Sequence, residues 1–205
     1  LNILAILNKR YGIVEEDLAS SELELVPAYK ARTQGFDESM VAAYGQDDKV
    51  SVYTSLTAMM ELNNIKRTAV CIIADKEEIG NVGNTGMESQ AFDTFITYLL
   101  NKTGENKVNL LEKVCCNSKM LSADVDACLD PIYANVSDRL NAAYMGYGVG
   151  INKYTGSGGK YEASDANAEY LAEVRKIFDD NNIKYQITEL GKVDVGGGGT
   201  IAYIL

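Results

Sequence analysis

Two adjacent glutamates, Glu77 and Glu78, follow an apolar run at residues 68–74 and precede a glycine turn. The length and composition of that run predict a strand covered on both faces. In open α/β sheets, ligands bind at the carboxyl ends of the strands, so we expect both glutamates to project into such a crevice. Neighbouring side chains leaving a strand point in different directions. One glutamate can therefore hold a metal ion while the other stays free as a general base.

Two further groups of carboxylates lie at the ends of predicted elements. Asp47 and Asp48 stand at the start of a predicted helix, and Asp124 and Asp126 precede a loop. Hard carboxylate oxygens that converge on one crevice favour a dinuclear site for divalent metal ions. Taken one at a time, ordinary roles are favoured: a helix N-cap for Asp48, and solvated side chains for the others.

The 205 residues include no histidine, which is the commonest zinc ligand. A metal site must then use carboxylates alone, or part of it lies outside this chain. The four cysteines form no CxxC pair. We expect reduced core thiols, with a structural zinc site as the weaker alternative.

The composition limits the class of protein and of partner. Hydrophobic residues make up 46% of the chain and prolines number two, which predicts an ordered globular protein with one core or one and a half domains. The net charge of -10 argues against a nucleic-acid partner, because such proteins concentrate Lys and Arg on one face. No apolar stretch approaches the roughly 20 residues that span a bilayer, so no membrane partner is expected and the expected compartment is the cytoplasm.

Helical and strand patterns alternate along the chain, which predicts a layered α/β fold. Two glycine-rich loops, at residues 146–150 and 156–160, could bind phosphate, but they lack a Lys-Ser/Thr pair and a directly following helix. A nucleotide-binding α/β module is therefore the less favoured enzyme hypothesis. The predicted helices cover residues 2–10, 48–62, 89–101 and 164–180, the last with Ser164 as its N-cap. The predicted strands cover residues 22–27, 68–74 and 184–188, followed by a glycine-rich loop at 191–200.

Six short motifs, in this order and spacing, resemble the dinuclear zinc aminopeptidases typified by aspartyl aminopeptidase and vacuolar aminopeptidase I. The resemblance covers essentially the whole chain. It implies a three-layer αβα sandwich with a mixed, mostly parallel sheet at residues 33–205, an incomplete catalytic domain, and the tail of a lid or dimerisation domain at residues 1–32. The motifs are Gly45-Gln-Asp-Asp48, Asp75-Lys-Glu-Glu-Ile-Gly80, Ser122-Ala-Asp124, Lys153, Lys160-Tyr161 and Gly198-Gly-Thr-Ile201.

The resemblance also implies a role for each matching residue. Asp48 would bridge two zinc ions, with cobalt or manganese as alternatives. Glu78 would bind one ion and Asp124 the other, and Glu77 would be the general base. The implied substrate-binding residues are Lys153, Lys160, Tyr161, Gly198, Gly199 and Thr200.

Members of this family use two histidines as further metal ligands, in segments that have no counterpart here, so the resemblance implies that the chain is a fragment. It further implies a peptide substrate and a homo-oligomer, up to a tetrahedral dodecamer. Asp126, Cys128 and Asp130 stand where aspartyl aminopeptidases have a histidine-containing segment, and residues 158–161 also depart from their pattern. Both departures resemble the bacterial branch and argue against a strict preference for acidic substrates.

The expected reaction is hydrolysis of the N-terminal residue of a peptide, with Glu77 taking the proton of a metal-activated water. The alternative from another class is a non-catalytic assembly subunit that keeps the fold. Asp48, Glu77, Glu78 and Asp124 are all present, which argues against a degenerate site.

Overall fold

The computed structural model describes residues 2–105, 108–158, 161–192 and 194–204. The chain divides into two compact units, Leu1–Gln46 and Asp47–Leu205. The domain boundary expected near residue 32 concerns a lid or dimerisation domain, and it stays a prediction.

Among its described residues the first unit contains one α-helix, a short 3-10 helix at Glu15–Ala19 and one hairpin. Helix α1, Asn2–Tyr11, confirms the helix predicted there and ends with Lys9 and Arg10, whose charges favour a helix C-terminus. Strands β1, Arg32–Gln34, and β2, Met40–Ala42, pair antiparallel.

The strand predicted at residues 22–27 is wrong. These residues form no strand, and Leu25 is fully exposed. An alternating pattern becomes a strand only where a neighbouring strand supplies ladder hydrogen bonds, and no described residue pairs with this segment.

Four helices follow: α2, Gln46–Met60; α3, Ala91–Lys102; α4, Leu110–Cys116; and α5, Ala168–Asp180. The predictions for α2 and α3 are confirmed, whereas α4 was not predicted. Helix α5 begins later than predicted, because the side chain of Asn167 caps it by accepting the Tyr170 N–H at 2.8 Å. Ser164, the predicted N-cap, lies in a strand instead. Within the described residues, no helix combines the length and apolar character that a membrane span needs.

The strands of the second unit form one parallel and one antiparallel pair. Strand β3, Val149–Asn152, pairs parallel with β6, Tyr185–Thr188, which confirms the strand predicted at 184–188. Strands β4, Tyr154–Ser157, and β5, Tyr161–Asp165, form a hairpin between them in sequence. Helix α5 connects this hairpin to β6, and the rings of Phe178 and Tyr185 lie 5.6 Å apart. In this arrangement the carboxyl ends of β3 and β6 lie side by side.

The buried strand predicted at residues 68–74 is also wrong. The segment is assigned to no strand, and Val70 and Ile73 are about half exposed. Among the described residues no strand pairs with it, so its backbone gains no ladder hydrogen bonds and its apolar side chains are not covered on both faces.

The mixed α/β class predicted from the sequence is confirmed. Among the described residues the strands pair two by two rather than in one larger sheet. Among the described residues the buried apolar side chains are Met87, Ile96, Ala142 and Ala143, and the buried polar ones are Asn81 and Thr188. Thr188 therefore marks the best-covered point of β6, at its carboxyl end.

Candidate metal centre

Three aspartates form a compact cluster. One carboxylate oxygen from each of Asp47, Asp48 and Asp124 lies within 4.8 Å of the other two. The first two stand at the start of α2, where Asp47 (φ -90, ψ 112) and Asp48 (φ -107, ψ 17) are not helical, and the peptide bond between them is cis. Asp124 comes from the segment between α4 and β3. The structure thus brings together two carboxylate groups that are distant in sequence.

The electrostatics of this cluster favour a positive charge. The pKa of the Asp48 carboxyl is raised to about 7. Burial is the largest cause, followed by the hydrogen bond with Asp124 and the negative charge of Asp124. The charges of Asp47 and Glu77 raise it further. Like charges at this distance cannot all be ionised without cost unless a cation lies between them.

The donor atoms fit a divalent metal ion. Oxygen Oδ1 of Asp48 is buried and has no hydrogen-bond partner, whereas buried polar atoms in proteins nearly always have one. Three carboxylates offer hard oxygen ligands, which suit divalent cations including zinc. An unpaired buried oxygen on a residue of the cluster is a feature expected of a metal ligand.

The two glutamates lie on a short 3-10 helix, Glu77–Ile79, between Lys76 and Gly80, which both have left-handed backbones. Glu77 is half-buried, and its charge acts on Asp48. Glu78 is exposed and lies outside the three-aspartate cluster. Their roles as general base and metal ligand stay predictions.

The loop after the glutamates folds back on itself. The Thr85 hydroxyl donates to Asp75 Oδ2 at 3.2 Å, and the Asn81 N–H donates to the Lys76 carbonyl at 2.8 Å. Position 86 must be glycine, because a Cβ there would lie 2.0 Å from the Asn81 carbonyl oxygen. These contacts fix both ends of the turn that carries Glu77.

The predicted substrate-binding residues of the glycine-rich loop lie beside the β4–β5 hairpin. The Gly156 N–H donates to the Gly198 carbonyl at 3.1 Å. Thr200 Oγ1 accepts hydrogen bonds from the Ala202 N–H at 3.1 Å and from Ser122 Oγ at 2.8 Å. Gly199 lies between them. The Ser122 bond joins this loop to the segment that carries Asp124.

Lys153 lies between β3 and β4 and forms an ion pair with Asp165 at the end of β5. Tyr161 begins β5 and is largely exposed. Lys160 lies outside the described residues. Substrate binding by these residues stays a prediction.

Two features of the site were not predicted from the sequence. Asp47 was noted beside Asp48, but only the folded arrangement makes it part of the cluster. The Thr188 hydroxyl donates to Asp126 Oδ2 at 2.6 Å, and this contact carries no sequence signal, because a single threonine at a strand end is common.

Comparison with known proteins identifies the family. The sequence profile of Peptidase M18, the aminopeptidase I zinc metalloprotease family, matches residues 1–205. The chain belongs to this family. The resemblance stated from the motifs is thereby confirmed, and zinc is the metal named for M18.

Bacterial M18 proteins are similar over the whole chain. A probable M18 family aminopeptidase 1 from Clostridium acetobutylicum is 52% identical over 204 residues, covering 100% of this chain and 44% of the relative. Its counterpart from Thermotoga maritima is 46% identical over 202 residues, covering 98% of this chain and 45% of the relative. The chain therefore spans slightly less than half the length of the curated M18 relatives it matches.

Solved M18 structures share the fold. The crystal structure of aminopeptidase I from Clostridium acetobutylicum superposes with a TM-score of 0.86 at 51% identity, covering 98% of this chain and 43% of that one. The crystal structure of the Thermotoga maritima M18 aminopeptidase superposes with a TM-score of 0.90 at 44% identity. It covers 99% of this chain and 45% of that one. The structure of the yeast mApe1 dodecamer superposes with a TM-score of 0.62 at 18% identity, covering 95% of this chain and 44% of that one. At this identity the comparison shows a similar fold alone.

Proposed function

We propose that the whole protein is a metallo-aminopeptidase that removes the N-terminal residue of peptides. The observation that carries this proposal is the cluster of Asp47, Asp48 and Asp124 with the unpaired buried oxygen of Asp48, in a member of a zinc metalloprotease family. The named aminopeptidases of Clostridium and Thermotoga support the same activity.

The proposed centre holds two zinc ions, with cobalt or manganese as chemically similar substitutes. Asp48 would hold both ions, Asp124 and Glu78 would hold one ion each, and Asp47 would offer a further oxygen. Zinc bound there would supply Lewis acidity that lowers the pKa of a water molecule and polarises a carbonyl group.

Glu77 is the proposed general base. Its carboxylate accepts a proton from the attacking water and returns it to the leaving amine, so no net proton is consumed by the side chain. Its half-buried position, with its charge acting on Asp48, supports this role. The glycine-rich loop at Gly198–Thr200 and the hairpin residues Lys153, Lys160 and Tyr161 would bind the peptide beside it.

The whole protein is proposed to form a homo-oligomer. Large apolar side chains are exposed in both units, among them Phe36, Leu56 and Phe95. Such side chains can contact the rest of the whole protein or a further subunit. The dodecamer of yeast mApe1 supports the largest assembly considered. The cytoplasmic compartment stays a prediction.

The decisive test is zinc-dependent turnover. We expect the purified whole protein to hydrolyse amino-acid p-nitroanilides, to lose this activity after dialysis against a chelator, and to regain it when zinc is added back. A panel of acidic and neutral substrates would measure the preference for the N-terminal residue. Hydrolysis that persists in protein shown to be metal-free would contradict the proposal.

The 205-residue chain alone is expected to be inactive. It has no histidine, and the carboxylates give each zinc ion too few protein ligands for the four-coordinate geometry that zinc favours. The same p-nitroanilide assay with added zinc checks this. Clear hydrolysis by the chain would show that histidine ligands are dispensable, or that the reaction occurs elsewhere.

A further inference from the structure

The segment that carries Asp124 is held by a hydroxyl group on each side. On one side, Ser122 Oγ donates to Thr200 Oγ1 at 2.8 Å. On the other, Thr188 Oγ1 donates to Asp126 Oδ2 at 2.6 Å. Each contact lies two residues from Asp124. Together they restrict the movement of the backbone between Ser122 and Asp126, which carries the Asp124 side chain.

The contact with Thr188 is the better buried of the two. Thr188 is 2% exposed and ends β6, opposite Asn152 on β3. Thr188 Oγ1 also lies 2.9 Å from Asn152 Oδ1. A hydroxyl has one proton, and the shorter bond to the carboxylate is charge-assisted and takes it. With the oxygen and nitrogen of the Asn152 side-chain amide exchanged, its N–H group donates to Thr188 Oγ1.

Strand β3 makes room for this contact at Gly150. A Cβ at that position would lie 2.9 Å from Asp126 Oδ2 and 3.2 Å from Thr188 Oγ1. Any side chain there would have to displace the hydrogen-bonded pair. The Asp126 carboxylate can therefore lie against β3 and β6 together, at the carboxyl ends of the only parallel pair among the described strands.

Metal ligands need partners of this kind. The groups that orient a ligand are commonly worth 10- to 100-fold in metal affinity, because a displacement of a few tenths of an ångström spoils the coordination distance. Asp124 itself accepts a hydrogen bond from the Val125 N–H at 2.6 Å, which orients its side chain locally but does not fix the segment. The contacts at Ser122 and Asp126 supply that long-range restraint.

We propose that Thr188 is a positioning residue of the metal centre, and that its hydroxyl, through Asp126, holds the Asp124 carboxylate where it and Asp48 can bind metal together. This inference rests on the proposed function. Thr188 touches neither metal nor substrate in this role, and it acts through the segment that carries Asp124.

The test compares Thr188→Val, which removes the hydroxyl but keeps the shape, with Thr188→Ser, which keeps the hydroxyl. Zinc affinity of the metal-free whole protein is measured by competition with a chromophoric chelator, and kcat and KM are measured with a p-nitroanilide. We expect Thr188→Val to bind zinc about 10-fold more weakly, the low end of the cost of losing a ligand's partner, because Thr188 acts through Asp126, and to lose kcat with little change in KM. Thr188→Ser should stay close to the wild type in both measurements.

Thr155→Val is the matched control for the loss of a half-buried hydroxyl that bonds another side chain. Thr155 Oγ1 and Ser164 Oγ are 2.6 Å apart and join the two strands of the β4–β5 hairpin. This variant should lose thermal stability without losing zinc affinity. The positioning role would be overturned if Thr188→Ser lost as much zinc affinity as Thr188→Val. It would also be overturned if Thr155→Val lost as much.

If Thr188→Val does not fold, Asp126→Asn replaces it, with Asp130→Asn as the control for the loss of one negative charge. Asp126→Asn weakens the bond to Thr188 and should lower zinc affinity more than Asp130→Asn, while equal affinities would overturn the inference. Failure of the proposed function looks different. The wild-type protein would then show no zinc-dependent hydrolysis, whereas failure of the positioning role alone leaves the wild type active and Thr188→Val unchanged in zinc affinity.

Discussion

Replacing Glu77 by glutamine in the whole protein is expected to remove most turnover while leaving zinc content unchanged. An amide of the same size cannot accept the proton of the attacking water. The loss of a general base costs roughly 10²- to 10⁴-fold in rate. Because Glu77 acts in this proposal as a base and not as a metal ligand, zinc bound per subunit should match the wild type. The measurements are kcat with a p-nitroanilide substrate and metal content by elemental analysis.

Glu61→Gln is the control for this substitution. Glu61 is exposed just after the end of α2, so its variant should keep both activity and zinc. If Glu77→Gln keeps wild-type kcat, another group is the base. If it loses zinc together with activity, Glu77 is a metal ligand, and Glu78 becomes the candidate base.

The helices were predictable because their signal is local. In α3, apolar residues such as Phe92, Phe95 and Ile96 recur at helical spacing, and a helix satisfies its own backbone hydrogen bonds. Its observed bounds differ from the predicted ones by one or two residues. The start of α5 was wrong by four residues, because two good capping residues, Ser164 and Asn167, compete and only the fold shows that the first belongs to β5.

Strands were less predictable, because a strand depends on a partner that may be distant in sequence. Residues 184–188 form one because β3 lies beside them. Residues 68–74 have an even stronger apolar pattern but no partner among the described residues, and they form none. Apolar composition indicates a possible strand, and hydrogen bonds to another strand decide whether it forms.

The site was predictable in kind but not in geometry. Carboxylates at the ends of elements indicated a metal site, and the motifs assigned Asp48 and Asp124 to it. The place of Asp47 in the cluster and the bond from Thr188 to Asp126 depend on how the chain folds in space. Residue types define the available chemistry, but the supporting contacts arise from tertiary structure.

Replacing Asp48 by asparagine is expected to change metal binding and stability in opposite directions. Loss of the bridging carboxylate should weaken zinc binding by more than about 100-fold, beyond what the loss of a merely orienting partner costs. The metal-free protein should become more resistant to heat, because an uncharged amide removes repulsion with Asp124, Asp47 and Glu77 and can donate a hydrogen bond to Asp124. Chelator competition and thermal unfolding at pH 8, above the pKa of about 7 of Asp48, measure the two effects.

Asp47→Asn is the informative comparison, because Asp47 belongs to the same cluster but is exposed. Removing an exposed charge should relieve less repulsion, so the metal-free Asp47 variant should gain less thermal stability than the Asp48 variant. If Asp48 is the bridging ligand, the Asp48 variant also loses more zinc affinity. A larger loss in the Asp47 variant would transfer the bridging role to Asp47. Unchanged zinc affinity in both would contradict a metal centre at this cluster.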